Sequence, residues 1–97
     1  VTRDEIKRPH ALGIRQRVNG EILQESKTSQ MIFRIDMVLA DLSRVLTLEP
    51  GDVISMGTPG GIGSARTPPV VLHEGDVVEC EIDGIGTLSN PVVLAYG

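Results

Sequence analysis

Two short runs carrying apolar residues, 14–18 and 21–24, flank Asn19-Gly20. Both turn residues tolerate the positive φ that a type I′ turn demands, so the pattern predicts a β-hairpin. Ser26-Lys27-Thr28-Ser29 then breaks the pattern with side chains suited to bonding their own backbone. From Ile35 the period lengthens. Ile35, Val38, Leu39, Leu42, Val45 and Leu46 recur at three- and four-residue steps with polar residues between them. This predicts an amphipathic helix of about three turns whose apolar face packs on a sheet. Glu49-Pro50-Gly51-Asp52 ends it, because proline cannot continue a helix and Gly51 supplies the turn.

Two related phrases come next, Pro50-Gly51-Asp52-Val53-Ile54 and Glu74-Gly75-Asp76-Val77-Val78. Each reads as a glycine turn launching a strand, the first being Val53-Ile54-Ser55-Met56, and both strands are expected in one sheet. From Val78 to Ile82 the alternation is clean: Val78, Cys80 and Ile82 on one face, Glu79 and Glu81 on the other. Cys80 is thereby predicted to be a buried small apolar residue. Asp83-Gly84 makes a second tight hairpin into residues 85–89, and Pro91 suits an edge or a strand end. Residues 1–12 show no clear period, and His10, beside Pro9, reads as an exposed loop histidine. The order is strand, strand, helix, strand, glycine loop, hairpin. That is mainly β with one covering helix, an α+β class.

Ninety-seven residues suit a single domain with a modest core. That core is aliphatic, since the chain holds one Phe, one Tyr and no Trp. Few aromatics and a formal charge of −4 argue against a nucleic-acid partner. One cysteine excludes an internal disulfide and fits a reducing compartment. With no apolar run of spanning length and no secretion-like start, the expectation is a cytoplasmic protein without a membrane partner.

The stretch with the most chemical promise is Gly57-Thr58-Pro59-Gly60-Gly61-Ile62-Gly63. Four glycines and a proline exclude helix and central strand. Such a loop can bring backbone N–H groups close to a ligand and aim several at one anion. Thr58 is its only polar side chain, placed by the extended bias before Pro59 at a strand end. Taken alone, the loop reads first as a plain connection and second as a ligand site. It matches neither the P-loop nor the dinucleotide pattern. Glu79 and Glu81 are the only acidic pair with geometry for a hard cation, and they read as solvated. No metal ligand and no catalytic residue is assigned within the chain.

Taken together, Val18-Asn19-Gly20-Glu21, Thr28-Ser29-Gln30-Met31-Ile32-Phe33, Leu48-Glu49-Pro50-Gly51-Asp52-Val53-Ile54, the glycine loop, and Glu81-Ile82-Asp83-Gly84-Ile85-Gly86-Thr87-Leu88-Ser89-Asn90-Pro91-Val92 resemble the C-terminal part of the fumarylacetoacetate hydrolase family, in family order. The resemblance implies an incomplete mixed β-roll or β-sandwich, with residues 1–97 the C-terminal portion of the catalytic domain. It also implies a homodimeric, cytoplasmic, metal-dependent hydrolase, or a related decarboxylase, hydratase or isomerase. Substrates would be 2-oxo or 1,3-dicarbonyl carboxylic acids, as in aromatic-compound breakdown, with Mg²⁺ or Ca²⁺ as the cation. By the family pattern Thr58 contacts substrate while Gly57 and Gly60 allow close approach. The family's metal carboxylates, catalytic lysine and general base all lie before the matched stretch. A partner is therefore expected: the N-terminal part of the same enzyme, or another chain carrying the metal. The alternative is a non-catalytic β-rich interaction module or an inactive truncated family member.

Overall fold

The computed structural model describes residues 1–95. Its framework is one antiparallel sheet in the order β2-β1-β3-β4, built from β1 (Gly13–Val18), β2 (Glu21–Lys27), β3 (Val77–Ile82) and β4 (Gly86–Pro91). The first hairpin turns at Asn19 (φ 52°) and Gly20 (φ 82°), as the Asn-Gly pair predicts. Asn19 does more than turn the chain. Its Nδ2 donates to Asp76 Oδ1 and its Oδ1 accepts from Val77 N–H, each at 2.9 Å, so one side chain pins the start of β3 beside the hairpin. The second hairpin turns through Asp83-Gly84-Ile85, and Pro91 closes β4 on an outer edge of the sheet.

In register, Ile14 faces Ile82, Arg15 faces Glu81 and Val18 faces Val78. One sheet face therefore carries Ile14, Val78, Cys80 and Ile82, and the other carries Arg15, Arg17, Glu79 and Glu81. The β1–β2 ladder shifts between Gln16 and Arg17: Gln16 faces Gln24 while Arg17 faces Ile22. Leu23 is left over, a β-bulge on the edge strand.

The helix α1 spans Ile35–Ser43, shorter than the pattern suggests, and residues 44–46 close a final turn on the carbonyls of Asp41 and Leu42. His10 is not a free loop residue. It is half-buried, and its Nε2 accepts the Ile35 N–H at 3.0 Å, satisfying one of the donors left over at the start of a helix. Ile35, Val38 and Leu42 are half-buried, while Val45 is 80% exposed. The helix covers the sheet only in part.

Both glycine turns form alike. Gly51 (φ 94°) and Gly75 (φ 90°) are left-handed, and the N–H groups of Glu49 and His73 donate to Asp52 and Asp76 respectively, each at 2.8 Å. Only the second launches a strand. The expected strand Val53-Ile54-Ser55-Met56 is not formed: it joins no ladder among the described residues, and Val53 is 95% exposed. A strand is defined by its neighbour, and this one has none here.

Cys80 is also exposed rather than buried. The cause is general. No apolar side chain among the described residues is fully buried. The accessible surface of 7791 Å² compares with about 5,400 Å² for a compact monomer of this mass. The radius of gyration, 16.0 Å, exceeds the roughly 12.5 Å expected for this length. The apolar face of the sheet is set out, and the chain covers it only in part.

Candidate functional site

On that face, a cleft of about 630 Å³ lies between the sheet, the single 3₁₀ turn Thr28–Gln30 at the end of β2, and the start of the glycine loop. Ile14, Ile82, Phe33 and Val38 make its floor and flank. Gly57 and Thr58 stand at its rim, and Lys27 is its only charged lining residue. Gly60 does not line it. The sequence pattern treated Lys27 as part of a polar break in the chain. In the ladder it pairs with Gly13, so its side chain projects to the Arg15 face, where its charge is felt at Asp83.

The glycine loop is docked along the outer edge of β2. Gln24 Nε2 donates to Thr58 Oγ1 at 3.0 Å and to Pro59 O at 2.7 Å. Arg66 Nε donates to Gly61 O at 3.1 Å, and its NH2 donates to the carbonyl of Leu23, the bulged residue. An edge strand offers unpaired backbone groups, and here loop and arginine occupy one of them. Gly61 (φ 99°) is required twice over: a Cβ there would stand 2.5 Å from Leu23 O. Gly63 likewise faces the Val70 carbonyl, where a Cβ would stand 2.5 Å away. Two of the four glycines thus permit approach to the chain's own backbone. Gly57 (φ 102°) and Gly60 face open space instead. Among the described residues the N–H groups of Gly57, Thr58, Gly60 and Gly61 donate no backbone hydrogen bond.

The opposite sheet face carries a compact ion network. Arg15 bonds Glu81 and reaches Asp83 Oδ1 at 3.1 Å, Arg17 reaches Glu81 at 3.3 Å, and Thr87 Oγ1 donates to Glu81 Oε2 at 3.1 Å. The Arg15 guanidinium, followed by the Thr87 hydroxyl, holds Glu81 below its ordinary value. The Gly13 N–H, at 2.9 Å, followed by Arg15, does the same for Asp83. Glu81 is thereby committed to two arginines and is no free partner for Glu79 at a cation. Among the described residues no three His, Cys, Asp or Glu side chains stand together to hold a metal ion. The described residues do not fit a divalent cation.

No helix among the described residues is long and apolar enough to cross a membrane. Residues 1–93 match the family described as fumarylacetoacetate (FAA) hydrolase C-terminal. Over 93 residues the chain is 56% identical to the mitochondrial oxaloacetate tautomerase of Xenopus laevis, covering 96% of this chain and 29% of that protein. It therefore spans under a third of the curated relatives it matches. Its fold superposes on the fumarylacetoacetate hydrolase of Exiguobacterium antarcticum with a TM-score of 0.89, at 44% identity over 95% of this chain and 33% of that one. A maleylpyruvate hydrolase from Sphingobium sp. SYK-6, in complex with manganese(II) ion and pyruvate, gives 0.83 at 35% identity, covering 96% of this chain and 33% of that one. The sheet with its single helix is the fold of these relatives, and the chain belongs to the fumarylacetoacetate hydrolase family.

Proposed function

We propose that the chain is the C-terminal portion of a catalytic domain that handles 2-oxo or 1,3-dicarbonyl acids, and that this portion supplies the wall on which the acid's oxygens rest. The observation that carries this is the cleft itself. Its rim carries the Thr58 hydroxyl beside the N–H groups of Gly57 and Thr58, which donate no backbone hydrogen bond among the described residues. Several donors around a partly apolar cleft suit a small organic anion.

In this reading Thr58 donates to a carboxylate or carbonyl oxygen, and Gly57 and Gly60 leave room for it. Among activities of the family, keto–enol tautomerisation of oxaloacetate ranks first, because the 56%-identical relative bears that name. In that reaction a proton leaves the carbon beside the ketone and one arrives on its oxygen, so negative charge gathers on the oxygen in between. Donors already in place around it lower the barrier. Proton transfer itself is assigned to no residue of this chain. Hydrolysis is the second reading, favoured by the 35%-identical maleylpyruvate hydrolase. A divalent cation, Mg²⁺ or Ca²⁺, is part of the proposal, with its ligands outside this chain. So are a homodimer and the remainder of the enzyme as the cover for the exposed sheet face. The compartment proposed is the cytoplasm or, following the relative's name, the mitochondrion.

The test is Thr58→Ala in the full-length protein, assayed for oxaloacetate tautomerisation. One lost hydrogen bond to a charged group is worth about 1–3 kcal/mol, so kcat/KM is expected to fall roughly 5- to 150-fold. An unchanged kcat/KM removes Thr58 from the site.

A further inference from the structure

Gln24 stands on β2 next to the Leu23 bulge, half-buried, with its side chain beneath the rim of the cleft. Its amide touches two atoms of the loop, and one of them decides its orientation. Pro59 O is a carbonyl oxygen and only accepts, so the nitrogen end of the amide must face it, at 2.7 Å. The same nitrogen is 3.0 Å from Thr58 Oγ1. Its two protons thus serve two acceptors, and the threonine oxygen is a receiver in that contact.

A hydroxyl has one proton to give. Within the chain the sole acceptor recorded for Thr58 among the described residues is Pro59 O at 3.5 Å, at the outer limit of a hydrogen bond and already occupied by Gln24. The proton is therefore supplied with no good internal destination, and Thr58 is exposed at the rim. From this we infer that Gln24 is a positioning residue that fixes Thr58 as a hydrogen-bond donor toward the cleft. The ligand atom that meets the Thr58 proton is then an acceptor, a carboxylate or enolate oxygen. This rests on the reading of Thr58 as the ligand contact.

The bulge explains how a strand residue comes to serve a loop 34 positions away in sequence. Skipping Leu23 sends its carbonyl outward to Arg66, and Gln24 resumes the ladder opposite Gln16. Two adjacent residues of one edge strand thus hold the loop at both ends of its glycine-rich turn.

The experiment uses the full-length protein with oxaloacetate, comparing Gln24→Glu and Gln24→Leu in the native and Thr58→Ala backgrounds. Gln24→Glu keeps the shape but replaces the donor with acceptors, which repel Pro59 O and draw the threonine proton inward. It should lower kcat/KM at least ten-fold and by more than Gln24→Leu, and the gap between them should close in the Thr58→Ala background. The loss in Gln24→Glu should also shrink on acidification, as the carboxyl regains a proton to donate. A Gln24→Glu protein as active as the native one, with Gln24→Leu impaired, would show that the amide only fills space and would overturn the inference. So would a Gln24→Glu penalty that is undiminished in the Thr58→Ala background. If Gln24→Glu does not fold, Gln24→Leu decides: its loss must be smaller in the Thr58→Ala background than in the native one. Thr58→Ala without effect defeats the proposed site as well, whereas the other failures leave that site standing.

Discussion

Adding a single methyl group at three neighbouring glycines should have three different costs. At Gly61 the backbone is left-handed (φ 99°) and the new Cβ would lie 2.5 Å from the Leu23 carbonyl. Holding a side chain at such a φ costs about 1–3 kcal/mol. Forcing an atom into occupied space costs about 1–3 kcal/mol more, and here the obstacle is backbone rather than a side chain that can swing away. The loop can escape only by giving up its hydrogen bonds from Arg66 and Gln24, each worth about 0.5–1.5 kcal/mol. Gly61→Ala is therefore expected to cost about 2–4 kcal/mol. Gly57→Ala meets the same dihedral penalty (φ 102°) in open space and should cost about 1–3 kcal/mol. Gly60 has neither a positive φ nor a neighbour within 4 Å, so Gly60→Ala should be neutral or stabilising by about 0.4–1 kcal/mol. The assay is thermal unfolding of the three full-length variants. At about 2–4 °C per kcal/mol, Gly61→Ala should lower the midpoint by roughly 4–16 °C. A Gly61→Ala midpoint indistinguishable from that of Gly60→Ala would refute the docking of this loop on β2.

Two further outcomes are expected. Because Glu81 and Asp83 are held below their ordinary values, the stability they contribute is present above the unfolded carboxylate range and is lost as pH falls through their lower folded values. Arg15→Met should therefore lower the unfolding midpoint at pH 7, and the gap from the native protein should narrow on acidification. A gap constant between pH 7 and pH 3 would show that the arginine contributes only packing. Asn19→Ala removes two hydrogen bonds and strains a positive φ, for an expected loss of about 1–3 kcal/mol by urea unfolding. Asn19→Gly relieves the strain alone, so it should recover part of that loss and not all of it.

What the sequence discloses here is what is decided locally. Asn19-Gly20 and Asp83-Gly84 declare their hairpins because the turn residues alone satisfy the dihedrals. Gly51 and Gly75 declare their turns for the same reason. The pairing of β1 with β3 joins Ile14 to Ile82, and no short-range signal announces a partner so far along the chain. The same limit explains the missing strand at Val53-Ile54-Ser55-Met56, whose composition is right and whose neighbour is absent. Cys80 fails differently: its alternation is correct and its face is assigned correctly, but burial depends on what lies above that face. At the site, Thr58 was visible as the lone polar side chain of the loop. Gln24, Arg66 and the Leu23 bulge were not, because a ladder shift and hydrogen bonds across tens of residues leave no mark in the pattern of apolar and polar positions.

The docking of the glycine loop on Leu23 bears on any effort to retune what the cleft accepts. The segment that carries Thr58 at the cleft rim is also the gasket on the sheet's outer margin. Lengthening or randomising it would open that margin to strand addition by neighbouring molecules. Many library members would then be lost to precipitation before their selectivity could be read. Diversity belongs at residues 58 and 60, with Gly61 and Arg66 held constant so that the seal survives the search.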